Sequence, residues 1–335
     1  MSAFLASLQA CKLAANSLAL APHAQRLLAL AAIADALEVQ ANLPESPLLL
    51  ANAEDLACAR ADGLAPAMLD RLALTPERLR SIAADVRNVA ALLDPVMALL
   101  DEFTRADGLK IARHRVPLGV LAVIYEARPN VTIDCAALAI KSGNGAVLRG
   151  GKESNRSNQA LAALVQNALA AAGLPPHCIV VLPAGERAEL VDLLSHSDLL
   201  TVVIPRGGPG LHRYCKEISR VPVLSGGVGI CHLYWHASAD AEGALAVVEN
   251  AKVQRPSVCN ALDVLLLDVQ IAAQTLPNIV QQLARAGVRF RLCDKAYAVV
   301  ESQLEESDPV SFAAVELAGL EDFDTEWLSL TLSIK

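Results

Sequence analysis

Apolar residues recur at helical spacing through the first hundred positions. From Arg26 to Gln40, Leu27, Leu30, Ile33, Ala34 and Leu37 fall on one face, the stripe of a helix seated on something larger. A second helix starts at Thr75-Pro76-Glu77, which offers an N-cap hydroxyl, a proline at the first helical position and an acid in the first turn, ahead of Leu79, Ile82, Val86, Val89 and Leu93. Pro44 and Pro47 separate two helical stretches, and Gly63 with Pro66 separates the next two.

After residue 100 the period changes. Leu109, Ile111 and Arg113 to Val116 read as exposed hairpin strands entered through Asp107-Gly108, and Gly119 to Tyr125 as a buried strand. Strands and helices then alternate: Ala146 to Leu148 before Ser157 to Ala172, Ile179 to Leu182 before Glu186 to Leu194, and Thr201 to Ile204 before Leu211 to Ser219, with Val221 to Leu224 as a further strand. Short apolar strands interleaved with helices predict a mostly parallel, doubly wound α/β sheet whose ligand loops follow the strand ends. A second, smaller α/β unit is expected to begin after Trp235, with helices at Ala239 to Val253 and Ile271 to Ala286, strands at Val264 to Leu267 and Val288 to Leu292, and a polar surface turn over Ser302 to Asp308.

Composition narrows the class. The 335 residues are 54% hydrophobic, 19% charged and 3% aromatic, suited to helices packed on a sheet; no apolar run reaches the roughly 18 to 20 uncharged residues of a bilayer crossing. The N-terminus lacks a basic start followed by an apolar core, and the eight cysteines form neither a dense framework nor a CxxC pair, so reduced thiols in a cytoplasmic protein are expected. A formal charge of −8 gives no reason to expect a nucleic-acid or membrane partner.

The candidate chemistry lies in loops. In Lys252-Val253-Gln254-Arg255-Pro256-Ser257-Val258-Cys259-Asn260, a cysteine between a helix and a strand is either a small core residue or a nucleophile whose pKa Lys252 or Arg255 lowers. Arg206-Gly207-Gly208-Pro209-Gly210 and Ser225-Gly226-Gly227-Val228-Gly229 are either tight turns or sites of close backbone approach to a phosphate or nicotinamide. Arg149 and Lys152 follow a strand where cations hold ribose or a 2'-phosphate, or where a solvated turn lies. Asn130 either donates to an oxyanion or caps the next helix, and Arg128 can pair with a substrate carboxylate. Cys231, His232 and His236 are too awkwardly spaced on an extended segment for a zinc site, so no metal is expected.

Several long segments, in order, resemble the gamma-glutamyl phosphate reductase family of the aldehyde dehydrogenase-like superfamily. They include RVPLGVLAVIYEARPNVTIDCAALAIKSGNGAVLRGGKES at 115–154, IPRGGPGLHRYCKEIS at 204–219, VPVLSGGVGICHLYWHASAD at 221–240, NAKVQRPSVCNALDVLLL at 250–267 and EWLSLTLSIK at 326–335. The resemblance implies an aldehyde dehydrogenase-like α/β fold: an NADP-binding domain over 1–236, with 100–116 as an oligomerisation hairpin, and a catalytic cysteine domain over 237–335. Family members continue past this point, so a missing C-terminal part is expected, with a homo-oligomer if full length.

By the same resemblance Cys259 is the nucleophile and Asn130 an oxyanion donor. Arg149, Lys152, Gly207, Gly208, Ser225, Gly226, Gly227 and Glu326 meet NADP, while Arg128 and Arg255 meet substrate. The implied reaction is NADPH-dependent reduction of L-glutamate 5-phosphate to the 5-semialdehyde, the second step of proline biosynthesis, with transient contact to glutamate 5-kinase. The alternatives are a CoA-dependent or non-phosphorylating semialdehyde dehydrogenase, or an inactive fragment with a structural role. Where hydrolytic aldehyde dehydrogenases carry a glutamate base, this chain has Ser225 and its small neighbours, which fits a reductase that must keep its thioester from water.

Overall fold

The computed structural model describes residues 3–185, 187–226 and 229–335, which divide into two compact units, Met1–Gly226 and Gly227–Lys335. In the first, helices α1 (Ala3–Leu20), α2 (His23–Asn42), α3 (Pro47–Ala61), α4 (Pro66–Leu72) and α5 (Pro76–Ala91) precede an antiparallel hairpin, β1 (Leu99–Thr104) with β2 (Lys110–His114). There follow β3 (Val120–Tyr125), α6 (Asn130–Lys141), β4 (Gly145–Arg149), α7 (Asn155–Ala171), β5 (Ile179–Leu182), α8 (Arg187–Ser195), β6 (Val202–Arg206) and α9 (Pro209–Ile218). The helix starts obey local chemistry: Thr75 Oγ1 accepts from Arg78 N at 3.2 Å and Ser46 Oγ from Leu49 N at 3.2 Å, each just before a proline at the first turn.

Strands β5-β4-β3-β6 form a fully parallel sheet. Alternation along each strand feeds two cores. Val123, Tyr125, Ala146 and Leu148 pack with α2, α5, α6 and α7, whereas Ala122, Ile124, Val147 and Val180 pack with Leu8, Cys11, Leu193 and Cys215 from the opposite side. Two buried polar anchors hold the helical layer. Arg26, only 2% exposed, pairs with Asp94 at 2.9 Å and donates to the Lys141 carbonyl; Asp55 accepts from Ser157 N at 2.8 Å and its hydroxyl at 2.7 Å, neutralising the first turn of α7.

The second unit contains β7 (Cys231–Trp235), α10 (Ala241–Val253), β8 (Leu262–Leu267), α11 (Val269–Arg285), β9 (Arg289–Leu292), α12 (Asp294–Leu304), α13 (Pro309–Phe312), β10 (Val315–Leu317) and β11 (Thr331–Ile334). Its parallel sheet runs β10-β9-β11-β8-β7 over a separate core that includes Trp235, Leu265, Ile279, Phe290 and Leu332. No single helix among the described residues is long and apolar enough to cross a membrane.

Several expectations need correction. The expected boundary at 236–237 falls instead at 226–227, because 231–235 pairs with 262–267 as an edge strand of the second sheet. Val221 to Leu224 is not a strand: Pro222 has no N–H to give, and only an isolated Val203–Val223 bridge remains. The polar stretch from Ser302 begins inside α12, which continues to Leu304 because that leucine and Val300 are buried. The second hairpin strand ends at His114, before Val116. Glu186, expected to open a helix, lies outside the described residues.

Candidate active site

In the first sheet, β4 and β5 lie on one side of β3 and β6 on the other, so the strand order reverses between β3 and β6, and ligands of doubly wound folds bind outside the carboxyl ends at such a point. The loop after β3 carries Glu126, Arg128 and Asn130, and the loop after β6 carries Gly207 and Gly208. The two meet: Gly208 N donates to Glu126 Oε1 at 3.3 Å, and a Cβ at Gly207 would stand 2.7 Å from the Glu126 carboxyl carbon. Gly208 caps α9, so this carboxylate already sits where the helix start favours negative charge.

The next loop, after β4, carries Arg149 to Lys152. It is held from below by a buried chain of hydrogen bonds: Tyr125 hydroxyl to Thr132 Oγ1 (2.7 Å), Thr132 to Asn158 Oδ1 (3.0 Å), Asn158 Nδ2 to Ser154 Oγ (3.0 Å), and Ser154 Oγ to the Gly151 carbonyl (3.2 Å). A Cβ at Gly150 would lie 2.2 Å from Asn158 Nδ2, so glycine is what lets the loop settle on this chain. Lys152 is exposed, whereas the half-buried Arg149 donates to the Gly185 carbonyl at 2.7 Å. Arg128 is exposed.

Asn130 does not cap α6. It is the first residue of that helix, Pro129 stands at the cap, and Asn130 Nδ2 donates to Asp134 Oδ2 at 3.0 Å. Burial pushes the Asp134 carboxyl up to about 6, with the nearby Asp85 raising it and Asn130 and Arg206 opposing. A carboxyl raised above its unfolded value adds stability below the unfolded pKa, and that contribution is lost as pH rises through about 6. Asp134→Asn is therefore expected to stabilise the chain at pH 8 by about 1–2 kcal/mol after discounting for solvent, with the gain gone below about pH 4; chemical denaturation at the two pH values checks this.

Ser225 shares its hydroxyl with His212 Nδ1 (3.0 Å) and the Gly226 carbonyl (3.0 Å). Gly226 is exposed, with open space where a side chain would be; Gly227 lies outside the described residues.

In the second unit, Ala261 N donates to the Val258 carbonyl at 3.1 Å, closing a turn whose two central residues are Cys259 and Asn260. That turn lifts Cys259 off the start of β8, and the cysteine is exposed, settling against the core alternative. Arg255 is also exposed. Lys252 is not the cation imagined beside the sulfur. It is fully buried, its Nζ 2.7 Å from the Leu262 carbonyl and 3.7 Å from Asp263 Oδ1. Half-buried Glu326 gathers here too: the Cys231 thiol is raised first by burial and then by Asp263, Cys259 and Glu326.

Sequence reasoning missed Cys231 as a neighbour of this site: its Sγ lies 3.3 Å from the Cys259 carbonyl oxygen. The GICHLYW alternation was the available signal: the segment reads as extended, but the second unit was expected to begin only after Trp235. His232 bonds to the Ile230 carbonyl and His236 to Ser238, and among the described residues no group of three or more His, Cys, Asp or Glu gathers as for a metal.

The aldehyde dehydrogenase family profile matches residues 5–294. A gamma-glutamyl phosphate reductase of Roseiflexus castenholzii is 48% identical across 96% of this chain and 74% of its own length, and one of Vibrio cholerae 49% identical across 98% and 75%. The crystal structure of a gamma-glutamyl phosphate reductase from Thermotoga maritima superposes with a TM-score of 0.89 at 35% identity, covering 100% of this chain and 77% of that one. With its doubly wound sheet, glycine-lined switch point and turn-borne cysteine, the chain belongs to the gamma-glutamyl phosphate reductase family, within the aldehyde dehydrogenase-like fold.

Proposed function

We propose that the chain reduces L-glutamate 5-phosphate to L-glutamate 5-semialdehyde and phosphate, using NADPH and a thioester on Cys259. The observation that carries this reading is the exposed sulfur at the tip of the 258–261 turn, in a chain of this family. The Cys259 thiolate attacks the acyl phosphate carbon, the carbonyl becomes an oxyanion, and its collapse expels phosphate to leave the thioester. Asn130 Nδ2, with one hydrogen given to Asp134, has a second to offer an oxyanion, and Arg128 and Arg255 suit the anionic ends of the substrate.

The glycine loop after β6, the cations Arg149 and Lys152 and the acceptor Glu326 fit a phosphorylated dinucleotide: backbone N–H groups at a helix start, positive charge for a 2'-phosphate, and a carboxylate for a ribose hydroxyl. NADPH, when bound, supplies the hydride that takes the thioester to a thiohemiacetal. Cys259 then leaves as thiolate, releasing the aldehyde. Ser225, its hydroxyl already shared with His212, offers no carboxylate to activate water, which favours the thioester's survival.

The reverse reaction tests this directly, because glutamate 5-phosphate is labile. NADP reduction with glutamate semialdehyde should require inorganic phosphate; reduction that proceeds equally without phosphate would rule the reading out in favour of a non-phosphorylating dehydrogenase. Lys152→Ala should raise KM for NADP by about tenfold or more and leave KM for NAD nearly unchanged, since a charged contact to the 2'-phosphate contributes about 1.5–3 kcal/mol. Steady-state kinetics with both cofactors measures the split.

A further inference from the structure

The nucleophile of the proposed reaction has a second thiol beside it. Cys231 opens β7, and the register there slips: Cys231 faces Leu262 while His232 faces Val264. The slip leaves Cys231 at the mouth of the turn that carries Cys259, with its Sγ 3.3 Å from the Cys259 carbonyl oxygen. Gly229 lies against the same carbonyl, 3.5 Å from where a Cβ would be. The two thiols are unequal: Cys259 is exposed and Cys231 half-buried, and neither is in a disulfide.

We infer that Cys231 is a resolving thiol, which captures the sulfenic acid formed on Cys259 by a hydroperoxide and closes a reversible Cys231–Cys259 disulfide. This rests on Cys259 being the reactive thiolate of the proposed function. In the first step the Cys259 sulfur takes the terminal oxygen of the hydroperoxide, whose O–O bond breaks to release water or an alcohol; sulfur is oxidised and peroxide reduced. In the second, Cys231 sulfur attacks Cys259 sulfur, the S–OH bond breaks, and hydroxide leaves with the Cys231 proton as water. A dithiol returns both sulfurs to the reduced state. Burial, then the charges of Asp263, Cys259 and Glu326, push the Cys231 thiol up, so the peroxide's target is Cys259 and Cys231 is held back as the second reactant.

The disulfide would protect the nucleophile from the irreversible sulfinic state. Three of the other thiols are closed off from solvent. Cys11 Sγ donates to the Cys178 carbonyl and Cys178 Sγ to the Ala14 carbonyl, both buried in the first unit, and Cys215 is buried too.

The test uses the full chain and reads mass rather than turnover. Tryptic cleavage isolates Cys231 in peptide 221–252 and Cys259 in peptide 253–285, each with one cysteine. After brief hydrogen peroxide treatment and alkylation, the expected result is a dithiothreitol-sensitive link between these two peptides. In Cys231→Ser the link should vanish, and Cys259 sulfinate should accumulate roughly tenfold faster than in the wild type. Equal sulfinate formation in both proteins, or a link from Cys259 to another cysteine, would overturn the inference. Diamide, which joins thiols without a sulfenic acid, separates the two causes of failure. A 231–259 link with diamide but no oxidation of Cys259 by peroxide overturns the inference through its premise of a reactive Cys259. No link with either oxidant, in protein whose Cys259 is still alkylated fastest of all its thiols, overturns it through the pairing alone.

Discussion

Cys259→Ala is expected to abolish phosphate-dependent NADP reduction, by at least about a thousandfold in kcat/KM, while shifting the unfolding midpoint by no more than about 1–2 °C. The two halves of this expectation have one cause. Cys259 occupies the tip of a turn, exposed, so its side chain contributes little packing; the same exposure is what makes the sulfur available for chemistry. The neighbouring thiol is poorly placed to take over. Cys231 directs its sulfur at the Cys259 backbone and its thiol is pushed up by burial. Cys259→Ser should be nearly as inactive, since an unassisted hydroxyl is a poor nucleophile at neutral pH. A variant that kept a tenth of the wild-type rate would remove the thioester from the mechanism.

Asp263→Ala should destabilise the second unit by about 3–5 kcal/mol, enough to lower its unfolding midpoint by about 10 °C or more. Lys252 is fully buried, and Asp263 is the charge that balances it; Asp263 also accepts from Trp327 N at 3.2 Å, tying the 326–330 segment to β8. Removing the carboxylate leaves a buried ammonium with the Leu262 carbonyl and little else. Burial already lowers the Lys252 pKa and Asp263 opposes that shift, so the variant lowers it further. A base whose folded pKa is depressed carries its penalty below that pKa and sheds it as pH rises toward the unfolded value near 10. The deficit should therefore narrow between pH 7 and pH 10. Pairing the change with Lys252→Met should restore most of the loss, because the cost is the stranded charge rather than the missing contact. Thermal unfolding of the single and double variants across that range decides it.

The fold was legible wherever local chemistry and period agree. Thr75-Pro76-Glu77 marks its helix to the residue, and Ile179 to Leu182 its strand, because a cap or a run of β-branched residues acts over a few positions. What period alone leaves open is pairing. Cys231 to Trp235 has its side chains alternating between half-buried and exposed, the pattern of an edge strand, and nothing local says which sheet it joins; the domain boundary went astray by that one strand. Val221 to Leu224 has strand-forming residues, but one proline among them removes the donor that a ladder needs.

At the site, Lys252 is the instructive case. A lysine seven positions before a cysteine looks like an activating cation, yet it lies on the buried face of α10, and the helix rather than the spacing decides where its ammonium goes. The meeting of the Glu126 and Gly208 loops was likewise invisible in either stretch, because it follows from β6 pairing with β3 across the reversal of strand order.

The position of β11 has a bearing on how the second unit is made. Ser333 sits between Val264 of β8 and Arg291 of β9, so the centre of that sheet is filled by a segment far downstream of the strands it joins. Until residues 331–334 arrive, β8 and β9 each present a bare row of amides and carbonyls, and such non-local closure is slow. A nascent chain paused before that point would be sticky, and chaperone dependence during synthesis should end abruptly once those four residues are in place.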